Sequence, residues 1–278
     1  MVLSAKPMLR PLRGILRSLP PDGTTSHDRV VPRSELLPWI EHYWSVTWCL
    51  RSPFLAETLP HPTVHLVFED STSNGVHISR AEMTGVPTQR FVRHLAGEGR
   101  VIGIKFRAGT FQPVWGGSMA DLKDRVLPLE RVMGSAAAAL EAAVGRSRSL
   151  EQAADLTGAI LAGLLPPMPD EVALTRDLAE RMATDRALLR AEDAAGAAGF
   201  DDRTLQRRFR RYVGVTPKWV IRRYRLHEAA ERLKAPEPPS LAALAADLGY
   251  FDQAHFARDF KLVVGRTPRL FAAMERRS

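Results

Sequence analysis

Apolar and polar residues alternate in two segments of the first half of the chain, at 61–69 and 100–107. A period of two residues is typical of strands that bury one face. Turn formers at 71–75 and 97–99 interrupt the pattern, as expected between strands. We therefore predict a β-rich region between about 35 and 115. The apolar residues of the two segments are Val64, Leu66, Phe68, Ile102, Ile104 and Phe106.

Four of the five tryptophans fall in or at the edge of this region. Large aromatic side chains supply much of the area that a protein core buries, so we expect them to form the core of a β-rich domain. The alternative is that some of them line an apolar ligand pocket. These residues are Trp39, Trp44, Trp48 and Trp115.

Helix formers dominate between about 121 and 165. Residues 135–144 are rich in alanine, with a serine at the start, which predicts a capped helix. Residues 150–165 predict a second helix with one apolar face. The prolines within 166–169 break the chain, and we place a domain boundary there. The predicted apolar face comprises Leu156, Ile160, Leu161 and Leu164.

The chain beyond this boundary contains an internal repeat, which appears when the sequence is shifted against itself by 51 positions. Many identical residues coincide at fixed spacing, so the same supersecondary unit occurs twice. The matched pairs are Ala194 and Ala245, Ala195 and Ala246, Asp201 and Asp252, Arg207 and Arg258, Phe209 and Phe260, Gly214 and Gly265, Thr216 and Thr267, and Pro217 and Pro268.

Each repeat has the pattern of two helices that cross at a glycine turn, which is a helix-turn-helix. In the first copy Gly199 makes the turn, Asp201 caps the second helix, and Leu205 and Phe209 lie on its inner face. In the second copy the corresponding turn, at Gly249, is one residue longer. The remaining positions expected inward or capping are Val213, Ser240, Leu241, Leu244, Leu248, Asp252, Phe256 and Phe260.

A Thr-Pro pair ends each repeat and should start another helix, because threonine caps well and proline is tolerated at the first helical position. The first of these helices spans residues 218–233. Sixteen residues at about 1.5 Å each give a length of about 24 Å. We expect this helix to hold the two units apart rigidly.

Charge is concentrated in the C-terminal third. The chain has a net charge of +8, and residues 186–278, with 19 basic and 11 acidic side chains, account for all of it. This asymmetry indicates a polyanionic partner, and the alternative is a basic surface without a partner.

A single cysteine, Cys49, excludes an internal disulfide and indicates a reducing compartment. No apolar stretch approaches the roughly 18 residues of a membrane span, and residues 1–30 predict a flexible basic arm without a secretory core.

The repeated units resemble the AraC/XylS family of bacterial transcription regulators over residues 170–278. The residues that carry the resemblance are those at 245–250, Asp252, His255, Phe256, Arg258, Phe260, Lys261, Gly265, Thr267 and Pro268. Ala254 and Ala257 depart from it, since longer polar side chains often occupy their positions. The resemblance implies a cytoplasmic, DNA-binding transcription activator with double-stranded DNA and RNA polymerase as partners. It also implies a small-molecule effector or a homodimer contact in the N-terminal region, and no cofactor or membrane partner is expected.

We therefore predict an α+β chain with an N-terminal, cupin-like β-rich sensor domain and an all-α C-terminal domain. The expected divisions are a flexible arm at 1–30, a sensor domain at 31–120, a helical connector at 121–169 and a DNA-binding domain at 170–278. The connector helices lack a sustained heptad, which favours ordinary packing over pairing of two chains.

Arginine and glutamine can read guanine and adenine from the major groove. By resemblance, Arg203, Gln206 and Arg207 are the base-reading residues of the first unit; for Arg207 the alternative is a surface salt bridge. Arg210, Arg211 and Lys218 are placed for phosphates. In the second unit Arg258 occupies the slot of Arg207. The remaining candidates of that unit are Gln253, Ala254, His255 and Ala257, with Lys261, Arg266 and Arg269 as backbone anchors.

The N-terminal region offers little catalytic chemistry. His61, His65 and Glu69 form a loose metal-ligand pattern, for which a structural role is favoured. Cys49 lies between apolar residues, which favours an inert core thiol over a reactive one.

Two other functions compete with a transcription regulator. One is a DNA-binding domain fused to an alkyl-transfer repair enzyme, which needs a reactive cysteine, and the other is a nonspecific nucleic-acid binder. The basic residues Arg90, Arg93, His94, Lys105 and Arg107 fit either an anionic effector or solvated surface charge.

Overall fold

A computed structural model describes residues 14–17 and 25–276. Within these ranges, seven strands form one antiparallel sheet. They are β1 (Ile15–Arg17), β2 (Thr25–Val30), β3 (Ile40–Thr58), β4 (His65–Ser73), β5 (Val76–Thr84), β6 (Phe91–Phe106) and β7 (Val126–Pro128). The strand order is β1-β3-β6-β4-β5-β7, and β2 also pairs with β3. The long strands β3 and β6 pair from Ile40↔Phe106 to Thr58↔Phe91 and form the centre of the sheet.

The helices lie mainly after the sheet. They are α1 (Gln112–Trp115), α2 (Leu129–Met133), α3 (Ala136–Arg146), α4 (Leu150–Leu164), α5 (Asp170–Thr184), α6 (Ala191–Ala197), α7 (Asp202–Tyr212), α8 (Pro217–Leu233), α9 (Leu241–Asp247), α10 (Gln253–Val264) and α11 (Pro268–Glu275). The predicted α+β class, with a β-rich N-terminal domain and an all-α C-terminal domain, is confirmed, and the N-terminal sheet is antiparallel. Of the helices in the described ranges, none combines the length and apolar character of a membrane span.

Both segments with alternating residues form strands, as predicted, but burial of one face only is wrong for β6, in which residues 101–106 are all buried. Leu66 faces Ile104 across β4 and β6, and both are fully buried. They belong to the main core, which the helices α2 to α4 cover. The connector helices therefore share one core with the sheet. Trp39 and Trp48 are buried, whereas Trp44 and Trp115 are only partly so.

The apolar face predicted for α4 is right only in part. Leu161 is buried and Ile160 packs against the core as predicted, whereas Leu164 is 48% exposed. The other residues that the helix buries are Leu150, Ala153, Ala154, Thr157 and Gly158. Small side chains let the helix approach its neighbours closely: a Cβ on Gly158 would meet the Leu36 side chain at 3.3 Å and the Tyr43 hydroxyl of β3 at 3.5 Å. Close approach of the helix thus accompanies the burial of its small side chains.

The flexible arm predicted for 1–30 lies largely outside the described residues. The parts that are described form strands: β1 pairs with the end of β3, and β2 pairs with β3 from Thr25↔Trp48 to Val30↔Tyr43. The prediction missed them because β1 has only three residues and β2 is a polar edge strand without an apolar period.

Cys49 is exposed, which corrects the prediction of a core thiol. Side chains alternate along β3, so its neighbours Trp48 and Leu50 take the buried side. Its partner across the sheet is Glu98. An acidic neighbour is the opposite of the electropositive setting that activates a thiol.

Candidate nucleic-acid interface

Two helix-turn-helix units form the C-terminal domain, α6–α7 and α9–α10. Each turn contains a glycine at positive φ, +68° at Gly199 and +73° at Gly249, where a side chain would strain the backbone. The predicted aspartate caps are present: Asp201 Oδ1 accepts from Thr204 N at 2.7 Å, and Asp252 Oδ1 accepts from His255 N at 2.6 Å.

The apolar positions of both units point inward as predicted. Leu205 and Phe209 of α7 are fully buried, as are Phe256 and Phe260 of α10. Thr216 and Thr267 cap the helices that follow each unit, with backbone N–H donors at 3.2 and 3.3 Å. The repeat in the sequence is therefore a repeat in structure.

Helix α8 connects the two units and is held by two of its arginines. Arg225, 8% exposed, donates to Leu188 O before α6 at 2.7 Å and to Leu248 O after α9 at 3.4 Å. Arg222 forms an ion pair with Asp259 of α10. With 17 residues, α8 is about 26 Å long. These contacts fix α8 to both units.

The outward side of α7 is cationic and exposed. Among the described residues, its arginines at 203, 207, 210 and 211 and the nearby Lys218 make no ion pair within 4.0 Å of a carboxylate. The salt-bridge alternative for Arg207 is therefore not what the structure contains. The exposed predicted residues of this unit are Arg203, Gln206, Arg207, Arg210, Arg211 and Lys218.

Helix α10 presents fewer polar groups. Ala254, His255, Arg258 and Lys261 are exposed, whereas Gln253 and Ala257 are half-buried. The His255 ring packs edge-on against Tyr250, with centroids 5.2 Å apart. Arg258 and Lys261 thus carry the charge of this face.

Residues 194–274 match the family of helix-turn-helix domains. The matched residues contain both helix-turn-helix units and the helix α8 that connects them. Residues 194–274 are an AraC/XylS-type DNA-binding domain. Residues 28–128 match a domain of unknown function, DUF6597. The chain therefore contains a DNA-binding domain of the kind found in transcription regulators.

Solved structures give weaker similarities. An AraC-type regulator from Chromobacterium violaceum is 23% identical, covering 37% of this chain and 91% of that one, with a TM-score of 0.34. ToxT from Vibrio cholerae is 13% identical, covering 90% and 98%, with a TM-score of 0.41. The regulator CuxR is 13% identical, covering 74% and 95%, with a TM-score of 0.21. No curated protein matches significantly. The assignment therefore rests on the domain match and the duplicated geometry.

Arg266 differs from its prediction as a phosphate anchor. Its side chain is 13% exposed and pairs with Glu57 of β3 at 3.0 Å. It also donates to Leu16 O at 2.9 Å. Arg90 shares the same carboxylate oxygen, at 3.1 Å. Charge-assisted hydrogen bonds to a carboxylate are short and strong, so the N-terminal sheet holds Arg266 of the AraC-type domain. Arg269 stays exposed.

N-terminal residues also complete the cores of both DNA-binding units. Val86 and Ala108 pack in the core of the first unit. Leu16 and Leu59 pack in that of the second. The sequence held no signal for these contacts, because they join residues far apart in the chain.

The basic residues of the N-terminal region are mostly paired with acids. Arg93 and Arg80 bind Glu69, Arg107 binds Glu180 of α5, and Lys105 Nζ lies 3.1 Å from Glu41 Oε1. Although burial opposes it, the Lys105 ammonium and His42 hold the pKa of Glu41 well below its usual range. These basic groups are thus neither free anion receptors nor solvated charges; His94 is exposed.

The loose metal pattern is dispersed in the fold. Glu69 binds arginines, and the His61 ring stacks at 4.2 Å on His227 of α8. His65 accepts from Trp44 Nε1 at 3.2 Å and contacts Thr63. Among the described residues, no group of three histidine, cysteine or acidic side chains is placed to hold a metal.

A groove of about 390 Å³ opens where the sheet domain leads into α5. It is mostly apolar and includes one of the tryptophans considered as pocket residues. Its lining includes Leu36, Trp39, Leu165 and Met168, with Glu35 at the edge.

Proposed function

We propose that this chain is a sequence-specific transcription activator whose α7 and α10 enter two successive major grooves of one duplex. The supporting observation is that both helices present exposed arginines while α8 holds the two units together. Successive major grooves lie about 34 Å apart, which two recognition helices joined by a helix of this length can span. We also propose a sensor domain at 31–120, a helical connector at 121–169 and a DNA-binding domain at 170–278.

In this proposal Arg203, Gln206 and Arg207 read bases from the first turns of α7. Arg210, Arg211 and Lys218 contact phosphates, as do Lys261 and Arg269 in the second unit. Arg258 reads a base from α10. Arg266 leaves the predicted set because Glu57 holds it.

The test is selection of bound duplexes from a random pool with the full chain, followed by Arg207→Ala. A bidentate arginine contributes about 1–3 kcal/mol of discrimination, so we expect a loss of about 5- to 150-fold and a relaxed preference at one base pair. Binding curves on the selected and a random duplex measure it.

Arg146→Ala provides the matched control, because Arg146 is an exposed arginine on α3 of the helical connector. It should leave selectivity unchanged. Lys218→Ala should weaken binding to all sequences alike. Equal losses on selected and random duplexes for Arg207→Ala would contradict the base-reading role and favour a nonspecific binder.

We further propose that a small effector bound to the N-terminal domain controls DNA binding in the cytoplasm, with RNA polymerase as a partner and a homodimer as the active form. The groove beside Trp39 has the volume of a small-molecule site. N-terminal residues pack in the cores of both DNA-binding units, so a change in the N-terminal domain can reach both units through direct contacts. Transcription assays with purified RNA polymerase test that partner, and a lack of activation would contradict it. Sedimentation of the chain with its duplex tests the homodimer, and a monomer on DNA would contradict it.

A further inference from the structure

Phe251 is the most exposed large apolar residue that the structure describes. Its exposed fraction is 94%, and the next is Leu262 with 73%. Scattered surface apolar residues are normal. A phenylalanine that retains almost no contact with its own chain is unusual, because aromatic side chains carry the largest apolar area.

The extra residue in the second turn explains the exposure. In the first unit Phe200 alone separates Gly199 from the cap residue Asp201. In the second unit Tyr250 and Phe251 both precede Asp252. Tyr250 packs on Phe256, with ring centroids 5.3 Å apart.

Tyr250 is also fixed through its hydroxyl, which donates to Asp259 Oδ2 at 3.2 Å. It takes the place from which a residue before the cap packs onto the first turns of its helix. Phe251 is consequently turned outward and contributes little to the core.

The location of Phe251 indicates what covers it. It adjoins the N-terminal end of α10, the end of a recognition helix whose residues contact base edges. The exposed Ala254 lies on the first turn, and Arg258 and Lys261 follow on later turns. A recognition helix with an apolar side chain before its start and cations on its later turns suits a polyanion that also offers an apolar group.

Thymine offers that group in the major groove, its C5 methyl. Helix α10 has alanines at 254 and 257, so it has few hydrogen-bonding side chains with which to discriminate bases. Apolar contact is the remaining means of direct readout at these positions.

We propose that Phe251 contacts DNA and reads a thymine methyl beside the N-terminal end of α10. This inference rests on the proposed function, since it requires α10 to enter a major groove. It adds Phe251 to the specificity-determining residues of the second unit.

The test uses the full chain and its selected duplex, with thymines replaced one at a time by deoxyuridine, which removes only the methyl. At one thymine under the second unit, the wild type should lose about fourfold in affinity, the effect of burying one methylene-sized group. Phe251→Ala should lose at least as much on the thymine duplex and be insensitive to deoxyuridine there.

Phe251→Leu keeps an apolar side chain and should retain part of the methyl dependence. Val76→Ala is the control for an exposed apolar residue, because Val76 is 62% exposed on β5 of the N-terminal domain. Neither Phe251→Ala nor Val76→Ala should change the urea midpoint of unfolding, which verifies that a loss of binding is not a loss of fold.

Three outcomes overturn the inference. Phe251→Ala that binds as tightly as the wild type, while Arg207→Ala and Arg258→Ala bind weakly, sinks it and leaves the proposed function intact. Unchanged DNA binding with reduced transcription assigns Phe251 to a protein partner. A wild-type chain that selects no sequence removes the proposed function and this inference together.

Discussion

His65 shows how one residue depends on its surroundings. Trp44 donates to its Nδ1, so the neutral ring carries its proton on Nε2, facing Thr63. Burial, and then the charge of Lys105, lowers the pKa of His65 to about 3. Burial also lowers the pKa values of His42 and His27. The folded chain therefore keeps these rings neutral.

The free energy of unfolding should fall as the pH falls below about 6.5. The unfolded chain takes up the proton at the ordinary histidine pKa, and the folded chain does so only near the lowered value. Neutral His65 thus stabilises the fold fully above pH 7, by an amount lost progressively toward pH 3. Between pH 7 and 5 we expect a loss of about 1–2 kcal/mol from this residue. Urea unfolding at several pH values measures it.

His65→Gln should flatten this pH slope. His77→Gln, at an exposed position on β5, should leave the slope as it is. A slope that is the same in the wild type and in His65→Gln would show that His65 is not its source.

At the scale of elements, local capping sets the helix limits of the AraC-type domain. Thr267→Ala removes the hydroxyl that accepts from Leu270 N at the start of α11. Loss of such a cap costs about 1 kcal/mol. We expect that decrease in the free energy of unfolding, measured by urea denaturation. Thr267→Ser keeps the hydroxyl and should be close to the wild type; an equal loss in both variants would contradict a capping role.

The elements that the sequence predicts well are those with local signals. The caps, turn glycines and inward residues of the two units all follow from spacing within a few residues. Other features depend on packing between distant segments. Gly158 of α4 lies close to Leu36 and Tyr43, and Glu57 withdraws Arg266 from the DNA-binding set. The spacing of apolar residues within one segment carries no information on contacts between distant segments. The exposure of Cys49 is an exception, since the alternation along β3 would have predicted it.

At the scale of the molecule, Glu57 joins the sheet to the second DNA-binding unit. Glu57→Gln leaves Arg90 and Arg266 without their shared carboxylate. Breaking a buried ion pair is costly, and the partial exposure of Arg90 reduces the cost, so we expect a loss of about 1–3 kcal/mol in the free energy of unfolding. Chemical denaturation measures it.

The same variant should bind DNA more tightly and with a steeper salt dependence. Arg266 becomes available to a phosphate, and one added phosphate contact raises the slope of affinity against salt by about one. Glu98→Gln, which removes an exposed carboxylate from β6, is the charge-matched control. Wild-type affinity in Glu57→Gln would contradict coupling between the sheet and the DNA-binding units.

Leu16 and Leu59 occupy the core of the second unit although they come from the opposite end of the chain. A chimera that grafts residues 170–278 onto a foreign sensor would therefore inherit two vacant leucine sites beneath α8. To fill these sites, the chimera must also include β1 and the loop after β3. Recombination between such regulators is therefore constrained by the shape of this core as well as by sequence.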